Sequence, residues 1–144
     1  MPALGHRNFR LLWLGLFASF TGSFMQQAAL LWHVSLLVDP SRKAIALGIV
    51  GLVRVVPIIV LSIVSGVIAD AWDRRKLMMA TSVAGTVVAF ALAALAFGGV
   101  QTPWPVYVLA GLGSAAGTFD APARHSLVPN LVPRETLPNA VSLN

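Results

Sequence analysis

Residues 66–76 read Gly-Val-Ile-Ala-Asp-Ala-Trp-Asp-Arg-Arg-Lys and separate two long apolar runs of the chain. This stretch holds two of the five acidic residues and three of the ten basic residues: Asp70, Asp73, Arg74, Arg75 and Lys76. Because several adjacent charges are very costly in hydrocarbon, the stretch must lie in water between two membrane-spanning helices. It therefore predicts where one helix leaves the bilayer and the next one enters it.

The composition of the whole chain agrees with a membrane location. The chain has 144 residues, of which 57% are hydrophobic and 10% charged, and its mean hydropathy is +0.80. Soluble domains are about a quarter charged, so this chain has too little polar surface for a water-soluble fold. We predict an all-α membrane protein.

Four apolar runs are each long enough for a transmembrane helix, which needs ~20 residues, and the first exceeds that length, so we expect some tilt. They cover residues of about 11–38, 44–69, 77–98 and 104–121. We expect these four spans, a charged cytoplasmic loop at 70–76, a second cytoplasmic loop at 122–138 and the start of a fifth helix before Asn144.

Lysine and arginine predict the orientation. Seven basic residues fall on one side of the predicted membrane and two on the other, Arg42 and Lys43. The seven are Arg7, Arg10, Arg74, Arg75, Lys76, Arg124 and Arg134. By the positive-inside rule we expect a multi-pass protein with its N-terminus in the cytoplasm.

Four side chains inside or at the ends of the spans are candidates for lining a substrate cavity: Gln26, His33, Arg54 and Asp120. Gly22, Gln26 and His33 share one helix face, which serves either interhelical hydrogen bonding or a cavity wall. Arg54 sits roughly 15 Å into the bilayer and needs a partner or water. It is either a structural contact or a site for an anion or substrate, and Asp120 is either its partner or a water-exposed interface residue.

Small residues predict close helix packing. Gly113 and Gly117 form a Gly-x-x-x-Gly pattern in the fourth run, and Gly22 lies in the first. Such spacing lets helix backbones approach closely, but it does not indicate the substrate.

Several functions are disfavoured. The chain has no cysteine, and its three histidines lie far apart, so we predict neither a metal site nor a cofactor. The basic residues are scattered, which disfavours nucleic-acid binding. No carboxylate pair or Ser/His/Asp set indicates an enzyme. The expected partners are the lipid bilayer and a small-molecule substrate.

With these residues identified, the chain resembles transporters of the major facilitator superfamily. The loop between the second and third helices of that family reads Gly-x-x-x-Asp-(Arg/Lys)-x-Gly-x-(Arg/Lys)-(Arg/Lys), and residues 66–76 are similar to it. Ala71 replaces a basic residue, and Asp73 replaces a glycine, as in the enterobactin-exporter-like and macrolide-efflux-like subgroup. Residues 8–13, 54–57, 121–124 and 131–135 also resemble that subgroup.

The resemblance implies an exporter built from two six-helix halves, of which this chain holds an N-terminal portion. Helices one and four would line the cavity, and the loop aspartate, Asp70, would help to latch the two halves on the cytoplasmic side. The expected function is proton-driven efflux of a small amphipathic or siderophore-like solute from a bacterial cell, across its inner membrane. The expected partner is then the set of C-terminal helices of the same transporter.

Two other functions stay open at this point. A small four-helix exporter acting as an oligomer fits the length, although such proteins carry an essential glutamate in the first helix and this first run has none. A non-transporting membrane scaffold or remnant is the other alternative.

Overall fold

The computed structural model describes residues 7–120, apart from the side chains of residues 69–71 and 74. Its regular elements are four α-helices and one short 3₁₀ helix: α1 (Arg7–Leu36), the 3₁₀ helix Pro40–Arg42, α2 (Lys43–Ala71), α3 (Arg74–Phe97) and α4 (Trp104–Gly117). The predicted loop 122–138 and the start of a fifth helix lie outside the described residues. The predicted all-helical class agrees with these elements.

The charged break between α2 and α3 is shorter than the predicted loop 70–76. Helix α2 continues through Ala71 and α3 begins at Arg74, so only Trp72 and Asp73 lie between the two helices. The Asp73 carboxylate accepts hydrogen bonds from the backbone N–H groups of Arg75 at 2.9 Å and Lys76 at 3.1 Å. Asp73 is therefore the N-cap of α3 and satisfies two of the N–H groups that a helix start leaves without intrahelical partners.

The connection between α3 and α4 depends on a glycine in the left-handed backbone region. Gly99 has a φ of +68°, which residues with a Cβ rarely adopt. Gly98 precedes it and donates its N–H to the Ala94 carbonyl at 2.8 Å, which closes the last turn of α3. The chain can then reverse direction before α4 begins at Trp104.

The buried core lies at the end of the bundle that holds the α1–α2 and α3–α4 connections. Helix α4 packs most extensively on α2 and α3, and α1 packs on α2. Each helix contributes core residues four positions apart, and on α4 Tyr107 joins them beside Val106: Leu30, Val34, Ala46, Val50, Val106, Tyr107 and Ala110. Such steps keep side chains on one helix face, so each of these helices turns one stripe inward. In the predicted orientation, this end of the bundle faces the outside of the cell.

The outer surface of the bundle is apolar. Among the large side chains exposed on α2 and α3 are Ile63 at 80%, Val67 at 69% and Phe90 at 73%. A continuous apolar exterior of this kind marks a membrane or protein interaction surface. Serine and threonine hydroxyls in these helices donate to carbonyls of their own helix, as in the 2.8 Å bond from Ser62 to Ile59. A hydroxyl so satisfied tolerates an apolar medium.

Within residues 7–120, two helices are long and apolar enough to cross a membrane, α2 and α3. Only 11% and 6% of their most apolar windows are buried inside the bundle, which is unlike the core helix of a soluble protein. Helix α1 has 30 residues but its polar residues lower its apolarity, and α4 as described has 14 residues. A helix of that length measures about 21 Å, short of the ~30 Å hydrocarbon core. Four spans therefore stay a prediction.

Candidate functional site

A polar layer lies one helical turn from the buried core, toward the end of the bundle where α2 meets α3. Three half-buried residues lie at this level, each four positions from a core residue: Gln26 precedes Leu30 on α1, Arg54 follows Val50 on α2, and Ser114 follows Ala110 on α4. A step of four residues keeps a side chain on the same face of a helix. The three faces that build the core thus continue into this polar layer.

Arg54 and Ser114 join α2 to α4 within the polar layer. The Arg54 Nε donates a hydrogen bond to the Ser114 Oγ at 3.4 Å. The hydroxyl is neutral and accepts from one of the five guanidinium N–H donors. Sequence reasoning identified Arg54 but considered Asp120 as its partner. It overlooked Ser114, the lone hydroxyl of the Gly113–Gly117 segment.

Pro57 and Gly111 explain how α2 and α4 come close enough for this bond. Proline has no N–H, so Pro57 cannot donate to the Val53 carbonyl one turn earlier in α2. A Cβ on Gly111 would lie 3.2 Å from that same carbonyl oxygen. Glycine therefore permits the approach of α4 to the backbone of α2 that places Ser114 beside Arg54.

The predicted polar face of α1 lies only partly inside the bundle. Gln26 and His33 are half-buried, whereas Gly22 is exposed. The Nε2 atom of His33 is buried and has no hydrogen-bond partner among residues 7–120. His33 is the neighbour of the core residue Val34. Along α1, Gln26 lies before Leu30 and His33 lies after it, so His33 is not part of the polar layer.

Asp120 lies beyond the end of α4 at Gly117 and is half-buried. Six residues separate it from Ser114, the residue to which Arg54 donates.

The glycines of the fourth run have different surroundings. A Cβ on Gly113 would lie 3.3 Å from a methyl group of Val88 on α3, so Gly113 lies at the α3–α4 contact. A Cβ on Gly117 or on Gly22 would meet nothing within 4 Å in the described part of the chain. The close contact between α2 and α4 is at Gly111, which lies outside the Gly-x-x-x-Gly pattern.

An apolar groove runs along the contact between α2 and α4. Its volume is about 490 Å³. Its walls are Leu52, Val53, Val56 and Pro57 of α2 with Trp104, Tyr107, Val108, Gly111, Leu112 and Ala115 of α4. The groove offers almost no hydrogen-bonding group and fits an apolar surface.

The residues of the loop motif are distributed over two helices. Gly66 and Asp70 belong to the last turns of α2, and Arg74, Arg75 and Lys76 form the first turn of α3. The side chains of Asp70 and Arg74 lie outside the described part of the structure. Among the described motif residues, Asp73 has a specific role as the cap of α3. Aspartate and glycine are both favoured N-cap residues, which explains why either type suits this position.

Comparison with known proteins decides the family. The model of the family described as "Transmembrane secretion effector" matches residues 1–144. The chain belongs to this family of the major facilitator superfamily. The predicted membership is therefore confirmed.

Two relatives show the extent of the match. The chain is 30% identical to the Staphyloferrin A transporter of Staphylococcus aureus (strain NCTC 8325 / PS 47) over 129 residues, which are 89% of this chain and 32% of that protein. It is 27% identical to Macrolide efflux protein A of Streptococcus pyogenes over 130 residues, 90% of this chain and 31% of that protein. The chain thus spans about a third of the length of these curated relatives. No solved structure matches it.

Proposed function

We propose that the protein carrying residues 1–144 is a secondary transporter of the efflux type. It moves a small amphipathic compound or a siderophore-like solute outward by alternating access, driven by protons. The observation that carries this proposal is the family match over residues 1–144, together with relatives named as a siderophore transporter and a macrolide efflux protein. The apolar exterior of the bundle supports a membrane location.

In the proposed architecture, the chain supplies four transmembrane helices and the start of a fifth, as part of the N-terminal six-helix bundle of a twelve-helix transporter. The seven-to-two distribution of basic residues supports a cytoplasmic N-terminus in a bacterial inner membrane. The partner of this bundle is then the set of C-terminal helices of the same protein. The chain covers 32% of the length of the Staphyloferrin A transporter, which supports the proposal that it supplies four of twelve helices.

The proposed mechanism needs two bundles that rock about a site at their interface. The polar layer of Gln26, Arg54 and Ser114 is a candidate wall of that site, because it is half-buried and combines a charge with hydrogen-bonding groups. Asp70 is proposed to latch the cytoplasmic side, where a carboxylate can bind an arginine or a helix N-terminus of the other half.

Accumulation of labelled solutes in bacteria that lack their own exporters tests this function. Cells with the complete protein are compared with cells carrying the empty vector, for staphyloferrin A and for a macrolide. We expect lower accumulation of at least one solute with the protein, and loss of that difference when a protonophore collapses the gradient. Equal accumulation of both solutes with protein and with vector would contradict efflux of these two classes. A difference that survives the protonophore would contradict proton coupling.

A further inference from the structure

We propose that α2 contains a hinge at Pro57. The N-terminal part of α2, residues 43–56, stays fixed to α4, and the C-terminal part, residues 58–71, bends against it as a unit. The hinge is a property of the helices themselves and goes beyond the proposed transport function. It follows from the backbone at Pro57, from the glycine that faces this backbone on α4, and from the unequal packing of the two parts.

The backbone of α2 is weakened at Pro57. Proline has no N–H for the Val53 carbonyl, and its ring clashes with that carbonyl and pushes it away from the helix axis. Sharp bends in helices occur mainly at prolines. The helix nevertheless continues past Pro57 to Ala71, so the proline lies inside α2 and does not end it.

Gly111 on α4 leaves room for the displaced carbonyl. A Cβ at position 111 would lie 3.2 Å from the Val53 oxygen, which is closer than most Cβ atoms come to a neighbour. Because glycine has no Cβ, the Val53 carbonyl can tilt toward α4 without a collision. Pro57 and Gly111 therefore act on the same carbonyl, one from each helix.

The N-terminal part of α2 is fixed by its packing. Ala46 and Val50 are buried in the core shared with α1 and α4, and Val53 packs against that core. Three residues before Pro57, the Arg54 Nε donates a hydrogen bond to the Ser114 Oγ of α4 at 3.4 Å. These contacts hold α2 to α4 up to the proposed hinge.

The C-terminal part of α2 does not share this core. Among its described side chains, at residues 58–68, Ser65 is the buried one, and its hydroxyl donates to the Ser62 carbonyl of the same helix at 3.0 Å. A bend at Pro57 therefore moves this part without separating the core residues of α1, α2 and α4.

The hinge links the core to the charged connection between α2 and α3. Only Trp72 and Asp73 lie between these helices, and Asp73 caps α3. A change in the bend of α2 therefore displaces the start of α3 relative to the core. Asp70, the proposed latch, belongs to the part of α2 that moves.

Distances between spin labels, measured by pulsed electron paramagnetic resonance on the complete protein in lipid nanodiscs, test the hinge. Residues 1–144 contain no cysteine, and any cysteine in the rest of the protein is replaced. Labels on cysteines at the exposed positions Ile45 and Ile63 span Pro57 at a separation of 18 residues, about 27 Å and five turns along a straight helix. A change of about 20° in the bend moves residue 63 by about 3 Å.

A label pair at Met79 and Phe97 of α3 is the matched control. These positions are exposed, are also 18 residues apart and have no proline between them. Each labelled segment contains one hydroxyl that donates to its own helix at 2.8 Å, Ser62 in α2 and Thr86 in α3. The comparison therefore isolates the effect of the proline.

We expect the distance distribution of the α2 pair to be about 3 Å wider than that of the α3 pair. Pro57→Ala should narrow it to the width of the α3 pair, because the restored N–H can donate to the Val53 carbonyl. Equal widths in the wild-type protein would mean that α2 is rigid at Pro57 and would overturn the inference. An α2 distribution that stays wide in Pro57→Ala would overturn it as well.

Thermal unfolding of the same protein tests the role of Gly111. We expect Gly111→Ala to lower the melting temperature less in the Pro57→Ala background than in the wild type, because the Val53 carbonyl returns toward the axis of α2 when the proline ring is absent. Equal losses in the two backgrounds would contradict the placement of the hinge at the contact of Val53 with Gly111.

Discussion

Asp73 offers the most direct test of the local structure, because its contacts predict an ordered series of substitutions. Its carboxylate accepts the N–H groups of Arg75 and Lys76 at 2.9 and 3.1 Å. Replacing an N-cap aspartate with alanine costs about 1 kcal/mol, within a range of about 0.5–2 kcal/mol, and replacement with glycine costs a few tenths. Asparagine keeps an oxygen acceptor and loses only the attraction of the charge to the helix N-terminus, about 0.3–1 kcal/mol at an exposed position.

Backbone hydrogen exchange at the start of α3 in the complete protein measures this effect, because the first turn opens locally. A cost of about 1 kcal/mol raises the open fraction about fivefold. We therefore expect Asp73→Ala to speed exchange of the Arg75 and Lys76 amides about fivefold, with smaller effects for Asp73→Gly and Asp73→Asn. Amides near Phe90 in the same helix serve as the internal control and should not change. Equal exchange in wild type and Asp73→Ala, or a larger effect for Asp73→Gly than for Asp73→Ala, would refute the capping role.

The remaining predictions concern topology, packing and the latch. Cysteines introduced at Ser41 and Thr102 should react with an impermeant thiol reagent from outside the cell and one at Trp72 should not, since the distribution of basic residues predicts a cytoplasmic position for Trp72. The reverse pattern would overturn the predicted orientation. Gly111→Val should destabilise the complete protein by about 1–3 kcal/mol more than the matched Gly117→Val, because only the Cβ at 111 meets a backbone oxygen, at 3.2 Å; equal melting temperatures would contradict this. Asp70→Asn should reduce efflux at unchanged membrane expression, because a latch needs the carboxylate charge, and wild-type efflux by this variant would count against the latch.

The helices were the most predictable part of the fold. Long apolar runs predicted α2 and α3, and the charges of residues 66–76 predicted the break between them. The break itself is shorter than predicted, because a single capping aspartate, Asp73, lets α3 begin at Arg74. Charge patterns indicate where a chain must reach water, whereas capping determines how short the connection between two helices can be.

The candidate site was only half predictable. Arg54 could be singled out, since a lone arginine in an apolar run is costly and therefore informative. Its partner Ser114 is 60 residues away and meets it because Gly111 lets α4 approach the Val53 carbonyl. The pattern of Gly113 and Gly117 indicated close packing but not which helix each glycine faces. Such pairings depend on how helices pack, which local spacing alone does not determine.

Transport by reconstituted protein tests most directly whether this chain is one portion of an alternating-access exporter. Proteoliposomes containing the complete protein are compared with proteoliposomes containing only residues 1–144, with the solute exported by cells as the probe and a proton gradient as the driving force. We predict saturable, gradient-driven transport by the complete protein and none by residues 1–144, because one partial bundle cannot rock against another. Saturable transport by a defined oligomer of residues 1–144 alone would contradict the account and favour a small four-helix exporter.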